Sequence, residues 1–199
     1  NNKLGINLEK IVSLSGPSHA EEVVRNSPTS VVASSNSISN AIRVQEMFSN
    51  DYFRVYTNQD ILGSEIGGSV KNVIAIAAGI CKGYNIGDNA LAALVTRGLE
   101  EIKRLGIEMG ADQKTFSGLS GLGDLVVTCY SNYSRNRKCG ELIASGHTIK
   151  EINSIVGMTI EGIATCKNLF LKTPQSNQHY YPRLRAFLHK IIYFSLLCH

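Results

Sequence analysis

Two patterns of apolar spacing divide the chain. In residues 10–57, short β-rich runs (KIVSLS, TSVVAS and FRVYT) alternate with helix-like segments, AEEVVRN and SISNAIRVQEMFSN. That alternation is the pattern of βαβ units. From about Asp60 the spacing turns helical, and it predicts helices over 60–81, 87–106, 120–130, 134–145, 148–156 and 161–171, with one helical turn near 112–117. No strand-rich segment of comparable length interrupts them. The expected fold class is therefore mixed α/β followed by all-α. The boundary falls near residues 58–62, where a helix runs straight out of the α/β part without a long linker.

Composition narrows the functional classes. At 199 residues and 43% hydrophobic content the chain can bury a sizeable core and fill one or two domains. The net charge of +4 is unevenly placed: residues 1–161 hold all 16 acidic residues and 15 of the 20 basic ones, so the excess sits in the last 38 residues. The main body thus lacks the basic footprint of a nucleic-acid binder. The five cysteines include no C-x-x-C pair and no secretory signal opens the sequence. A reducing cytoplasm is therefore the expected compartment, and no metal is expected. The late apolar run AFLHKIIYFSLLC spans about 13 residues and contains His189 and Lys190, too short and too charged for a membrane-spanning helix.

Three stretches carry candidate chemistry. In GGSVKNVIAIAAG a lysine, Lys71, interrupts small and aliphatic residues. On a helix from Asp60 its face holds Ser64, Gly67, Gly68, Ala75 and Ala78, all small, while the other faces are apolar. The expectation is a lysine projecting along a groove with room for a ligand, its pKa lowered by desolvation toward the range of a general base. The plain alternative is a lysine reaching out to solvent. In SGPSHAEEV, Ser18 and Glu21 have capping-box spacing, and the preceding Gly16–Pro17 turn lets backbone approach a bound group. SGLSGLGDLVVTC places Gly118, Gly121 and Gly123 around Asp124, with Thr128 one turn on. It follows no strand, so it is weak as a nucleotide loop, and Asp124 can equally serve a helix N-terminus. In SNYSRNRKCGELIASG, cations gather at a helix start, where they are unfavourable unless an anion is held there. A phosphate is the natural partner. A solvated basic patch paired with Glu141 is the structural alternative.

Taken together and in order, SGPSHAEEV with PTSVVAS, GSEIGGSVKNVIAIAAGI, GLSGLGDLVVTC, SRNR and GMTIEG resemble the bacterial-type NAD(P)-dependent glycerol-3-phosphate dehydrogenases over residues 10 to about 170. The resemblance implies oxidation of sn-glycerol 3-phosphate at C2 to dihydroxyacetone phosphate, with hydride passing to NAD or NADP, in the service of glycerophospholipid synthesis. It implies Lys71 as proton acceptor. Gly16, Ser18, Asn72, Asp124, Thr128, Ser134, Arg135 and Asn136 would contact substrate, and Ala20, Arg135, Thr159 and Glu161 the cofactor. His19 stands where the family usually has an aromatic residue and Thr159 where it usually has valine. Neither change removes a catalytic group.

The resemblance also implies the architecture: residues 1–60 as the last part of a Rossmann-like NAD-binding domain, and 61–171 as a helical substrate domain of the 6-phosphogluconate dehydrogenase C-terminal type. The GxGxxG turn that grips the dinucleotide is missing, so the sequence begins roughly 120 residues into the family pattern. Turnover by this chain alone is expected to be poor or nil. Residues 172–199 contain no acidic residue and depart from the family pattern. Loss of reading frame near 170–174 is one reading of that tail, and a divergent extension is the other. Two further functions stay open on the sequence: a non-catalytic helical module that dimerises or binds a partner through its apolar helices, and a related 2-hydroxy-acid dehydrogenase. The phosphate-suited SRNR cluster favours neither.

Overall fold

The computed structural model describes residues 7–172, so the acid-free tail and the question of its frame lie outside the described residues. Along the chain run β1 (Ser13–Ser15), α1 (Ala20–Val23), β2 (Thr29–Ser34), α2 (Ile38–Phe48), β3 (Phe53–Asn58), α3 (Ile61–Gly83), α4 (Asp88–Glu108), α5 (Asp124–Tyr130), α6 (Arg135–Ala144), α7 (Ile149–Val156) and α8 (Glu161–Lys172). A 3₁₀ turn at Gln113–Ser117 and a π-helical turn at Leu119–Gly123 lead into α5. Strands giving way to helices at Asp60 match the spacing of the sequence. The described residues divide into two compact units, 7–68 with Gly106–Asp124, and 69–105 with 125–172.

The first unit carries a three-stranded sheet of order β1-β2-β3. β2 and β3 pair in parallel through α2, a complete βαβ unit, with Val31 opposite Val55. β1 instead pairs antiparallel to β2, Ser13 opposite Ser34, so the first alternation read from the sequence is not a βαβ crossover. The connection from β1 to β2, residues 16–28, holds only the four-residue α1 and returns the chain antiparallel beside β1. Val31, Ala33, Ala41 and Val55 are buried beneath the sheet, with Val12, Val44 and Phe53 packed against them. Burial of such side chains, with Ile66 and the fully buried Phe116 of the same unit, removes apolar surface from water, the dominant favourable term in folding.

A second expectation also changes here. The N-cap of α1 is His19, which puts Glu21 at the second helical position rather than the third. The Ser18–Glu21 capping box therefore does not form, and Ser18 Oγ donates to Gly16 O at 3.1 Å.

The second unit is helical. The part of α3 within it is buried from Asn72 to Gly79, Val73 to Ala78 at no more than 2% exposure. Leu91, Val95, Leu99 and Ile102 of α4 and Ile143 of α6 are buried at helical spacing, each with one face inward. Glycines set the closest approaches. A Cβ on Gly79 would run into Arg137 O, and one on Gly140 into Ile76 O, so α3 and α6 meet backbone to backbone. Among the described residues, α3 is the one helix long and apolar enough to cross a membrane, and 67% of that stretch is buried.

Candidate active site

The helical unit gathers most of the candidate residues. Lys71 is half-buried on α3 and Thr128 is buried on α5. Next to Thr128, the fully buried Cys129 has its thiol pushed up to about 12 by burial, and the Lys71 ammonium pulls against that rise. A thiol so shifted keeps its proton at ordinary pH. Cys129 carries no motif signature of its own in the sequence. Its position one residue after Thr128 was the available signal.

Asn72, one residue on from the lysine and 4% exposed, is held on both sides of its amide. Its Nδ2 donates to Glu161 Oε2 at 3.1 Å, and its Oδ1 accepts from Asn136 Nδ2 at 3.0 Å. Asn136 Oδ1 in turn accepts from the backbone N–H of Gly162 at 2.9 Å. Residues separated by up to 89 positions, on α3, α6 and α8, therefore form one hydrogen-bonded chain. Three of its four members were candidates from the sequence. The fourth, Gly162, acts through its backbone and leaves no side-chain signature.

The SRNR cluster resolves into separate roles. Ser134 is the N-cap of α6, its Oγ accepting from Arg137 N at 3.2 Å. Arg137 donates to Tyr130 O at 3.0 Å and Asn132 Oδ1 at 2.8 Å, and pairs with Glu141 at 2.8 Å. It ties α6 to the preceding turn: the Glu141 pairing of the structural alternative is present, though the Arg137 side chain is mostly buried rather than solvated. Arg135 is exposed, with Nη1 donating to Thr159 O at 3.2 Å. That bond fixes an accessible guanidinium fork, the geometry that suits a phosphate oxygen pair. Thr159 also lines an open groove of about 600 Å³ shared with Asn153, Gly157, Met158, Ile160 and Lys167. Lys71 and Asn72 lie outside that groove's lining.

Gly16, Ser18, Ala20 and Asp124 belong to the sheet-bearing unit. Gly16 has φ +136°, and a Cβ there would come within 3.0 Å of Val31 Cα, so the sheet itself demands glycine. Ser18 and Ala20 are exposed, while Asp124 is 4% exposed at the first turn of α5. The small-residue face of α3 is partly taken up by protein in this unit. Ser64 Oγ meets Ser34 Oγ at 2.6 Å and Ser120 Oγ at 3.4 Å, and a Cβ on Gly67 would lie 2.8 Å from Ser120 O. Over Ser64 and Gly67 the room expected for a ligand is filled by the π-helical turn. Among the described residues no cluster of three or more His, Cys, Asp or Glu is placed to hold a metal.

Comparison with known proteins fits this arrangement. The model of the NAD-dependent glycerol-3-phosphate dehydrogenase C-terminus matches residues 60–196, and the model of the corresponding N-terminus matches residues 1–41. The chain belongs to the NAD-dependent glycerol-3-phosphate dehydrogenase family. Within that family it is 56% identical over 161 residues to glycerol-3-phosphate dehydrogenase [NAD(P)+] of Clostridium perfringens, covering 81% of this chain and 49% of that protein. It is 58% identical over 154 residues to the enzyme of the same name from Carboxydothermus hydrogenoformans, 77% of this chain and 46% of that protein. The crystal structure of glycerol-3-phosphate dehydrogenase from Coxiella burnetii superposes with a TM-score of 0.81 at 41% identity, over 90% of this chain and 56% of that one. The chain thus spans about half the length of the curated relatives it matches. The fold of this dehydrogenase family, a Rossmann-like part followed by a helical domain, is the fold described above.

Proposed function

We propose that this chain is the substrate-handling part of a glycerol-3-phosphate dehydrogenase, acting between sn-glycerol 3-phosphate and dihydroxyacetone phosphate. The observation that carries the reading is the hydrogen-bonded chain Gly162–Asn136–Asn72–Glu161, whose Asn72 directly follows Lys71 along α3. It brings three helices to bear on one amide, at the position after the lysine proposed as proton acceptor.

In this reading Lys71 accepts the proton from the C2 hydroxyl. Asn72 orients that hydroxyl, with Thr128 adding a polar group. Asn136 and the α6 turn face the phosphate end. Arg135, fixed by Thr159 O, supplies an accessible cation for phosphate and for the dinucleotide. When bound, NAD or NADP supplies the hydride acceptor. The exposed Arg135 fork and the carboxylate of Glu161 are a donor and acceptor pair that fits the polar end of such a group, with Thr159 between them in sequence. Gly16, Ser18, Ala20 and Asp124 enter the proposal on the family match alone. So do a cytoplasmic setting, a homodimer and a place in glycerophospholipid synthesis.

A thermal-shift titration tests the reading. Millimolar glycerol 3-phosphate is expected to raise the melting temperature of the full chain, and Lys71→Ala or Arg135→Ala to abolish most of the rise. Absence of any rise in the wild type, or an equal rise in both variants, would count against the site.

A further inference from the structure

We infer that Glu161 and Gly162 are positioning residues that fix, through Asn136, the direction in which the Asn72 amide faces. The argument rests on which atoms can donate. The backbone N–H of Gly162 only donates, so the atom of Asn136 that meets it at 2.9 Å must be the carbonyl Oδ1. Asn136 then turns its Nδ2 toward Asn72, whose Oδ1 accepts at 3.0 Å. That leaves Asn72 Nδ2 toward Glu161 Oε2 at 3.1 Å, and an ionised carboxylate only accepts. Both ends therefore impose the same polarity on the two amides between them. Turning either amide over would set oxygen against carboxylate or N–H against N–H. The two ends are consecutive residues at the start of α8, so the chain is a loop closed through α6 and α3.

Gly162 is built for this place. A Cβ there would lie 2.7 Å from Asn136 Oδ1, from Asn72 O and from Ile76 Cδ1. Only a residue without a side chain brings its N–H so near. Asn136 is 8% exposed and bonded to protein on both sides of its amide, which makes it a spacer of fixed polarity as well as a candidate substrate contact. The consequence for ligand binding rests on the glycerol 3-phosphate reading above, whereas the polarity of the loop does not.

Reversing the loop tests the inference. In Asn136→Asp the Gly162 bond survives, but a second carboxylate oxygen meets Asn72 Oδ1, or, if Asn72 turns, its Oδ1 meets Glu161. The melting temperature of the full chain should fall by about 5 °C. Adding Glu161→Gln supplies a donor at the other end, so all three bonds can re-form with Asn72 reversed. The double variant should recover nearly all the lost stability and still fail to respond to glycerol 3-phosphate, because the Asn72 amide now faces the wrong way and the carboxylate introduced at 136 repels the phosphate. Failure of the double variant to regain stability overturns the inference. Recovery of stability and ligand response together also overturns it, since the loop would then be merely structural. If the wild type itself shows no response to glycerol 3-phosphate, the functional reading fails while the stability comparison still decides the polarity. Should Asn136→Asp not fold, Glu161→Lys, which only donates, must destabilise more than Glu161→Ala. Equal effects overturn the inference.

Discussion

The two units close their polar groups in different ways. In the sheet-bearing unit a single carboxylate, Asp60, accepts from Gly63 N at 2.9 Å, Asp112 N at 2.9 Å and Thr115 Oγ1 at 2.7 Å. Asn58 Nδ2 also donates to Thr115 Oγ1, at 3.1 Å. In the helical unit two neutral amides stand at the centre, and the carboxylate of Glu161 lies at the exposed end. A carboxylate surrounded by donors ties segments together but passes no direction on, because every bond it makes points inward. A chain of amides has a sense, and each member orients the next. The first device fastens a loop. The second sets the facing of a side chain beside a candidate base, which is why the proposed chemistry gathers on it.

The largest expected effect breaks the spacing on which the amide chain depends. A Cβ on Gly140 would collide with Ile76 O and lie 2.7 Å from Ile80 N and 2.8 Å from Gly79 Cα, all backbone atoms that have little freedom to move aside. Gly140→Ala should cost about 3 kcal/mol in urea unfolding of the helical unit. It should also remove the response to glycerol 3-phosphate, because α3 and α6 carry Asn72 and Asn136. Hydrogen exchange at Gly63 and Asp112 is expected to stay slow, since their partner Asp60 is untouched. A loss below about 1 kcal/mol would show that α3 and α6 can part without harm.

The converse change tests the other device. Asp60→Ala strips the acceptor from two backbone N–H groups and the Thr115 hydroxyl, with an expected cost of about 2 kcal/mol, because bonds to a charged acceptor are the stronger ones. Exchange at Gly63 and Asp112 should then quicken while Gly162 N stays protected and the ligand response persists. Loss of protection at Gly162 would mean that the two networks are not separable.

What the sequence disclosed follows the same contrast. Helices were legible because their apolar faces repeat over many residues. The helices from α3 to α8 appear within two residues of their expected ends, except that α5 starts four residues late because Leu119–Gly123 is π-helical; β2 matches at both ends and β3 to within one residue. The pairing of β1 was not legible, because three residues carry no pattern that separates an antiparallel return from a crossover. The Ser18–Glu21 box was misread because its spacing is right only if the helix starts at the residue after Ser18, and it starts one later. At the candidate site, motif order picked out Lys71, Asn72, Asn136 and Glu161. The bonds that join the last three span 64 to 89 positions and belong to the packing of three helices. The split between Arg135 and Arg137 was equally hidden. Two arginines in one motif look alike until the turn at Tyr130 and Asn132 claims one of them.

The smallest effect concerns a third polar closure, confined to one helix. The capping box missing from α1 is present on α7: Thr148 Oγ1 accepts from Glu151 N at 3.3 Å, and Glu151 Oε2 accepts from Thr148 N at 2.7 Å. Those hydrogen bonds from the Thr148 backbone and hydroxyl hold the Glu151 carboxyl below its ordinary range. Because the folded value is the lower one, the contribution is present above the ordinary carboxylate range and is lost as pH falls through the folded value. Glu151 is fully exposed, so solvent screens it and the effect stays small. Thr148→Val should lower the melting temperature by about 2 °C at neutral pH. The gap to wild type should narrow as the solution is acidified, since a protonated Glu151 is a weaker acceptor in either protein. A gap that widens on acidification would mean that the carboxylate is not the group that closes this helix. The contrast between local caps and the loop through three helices would then need another basis.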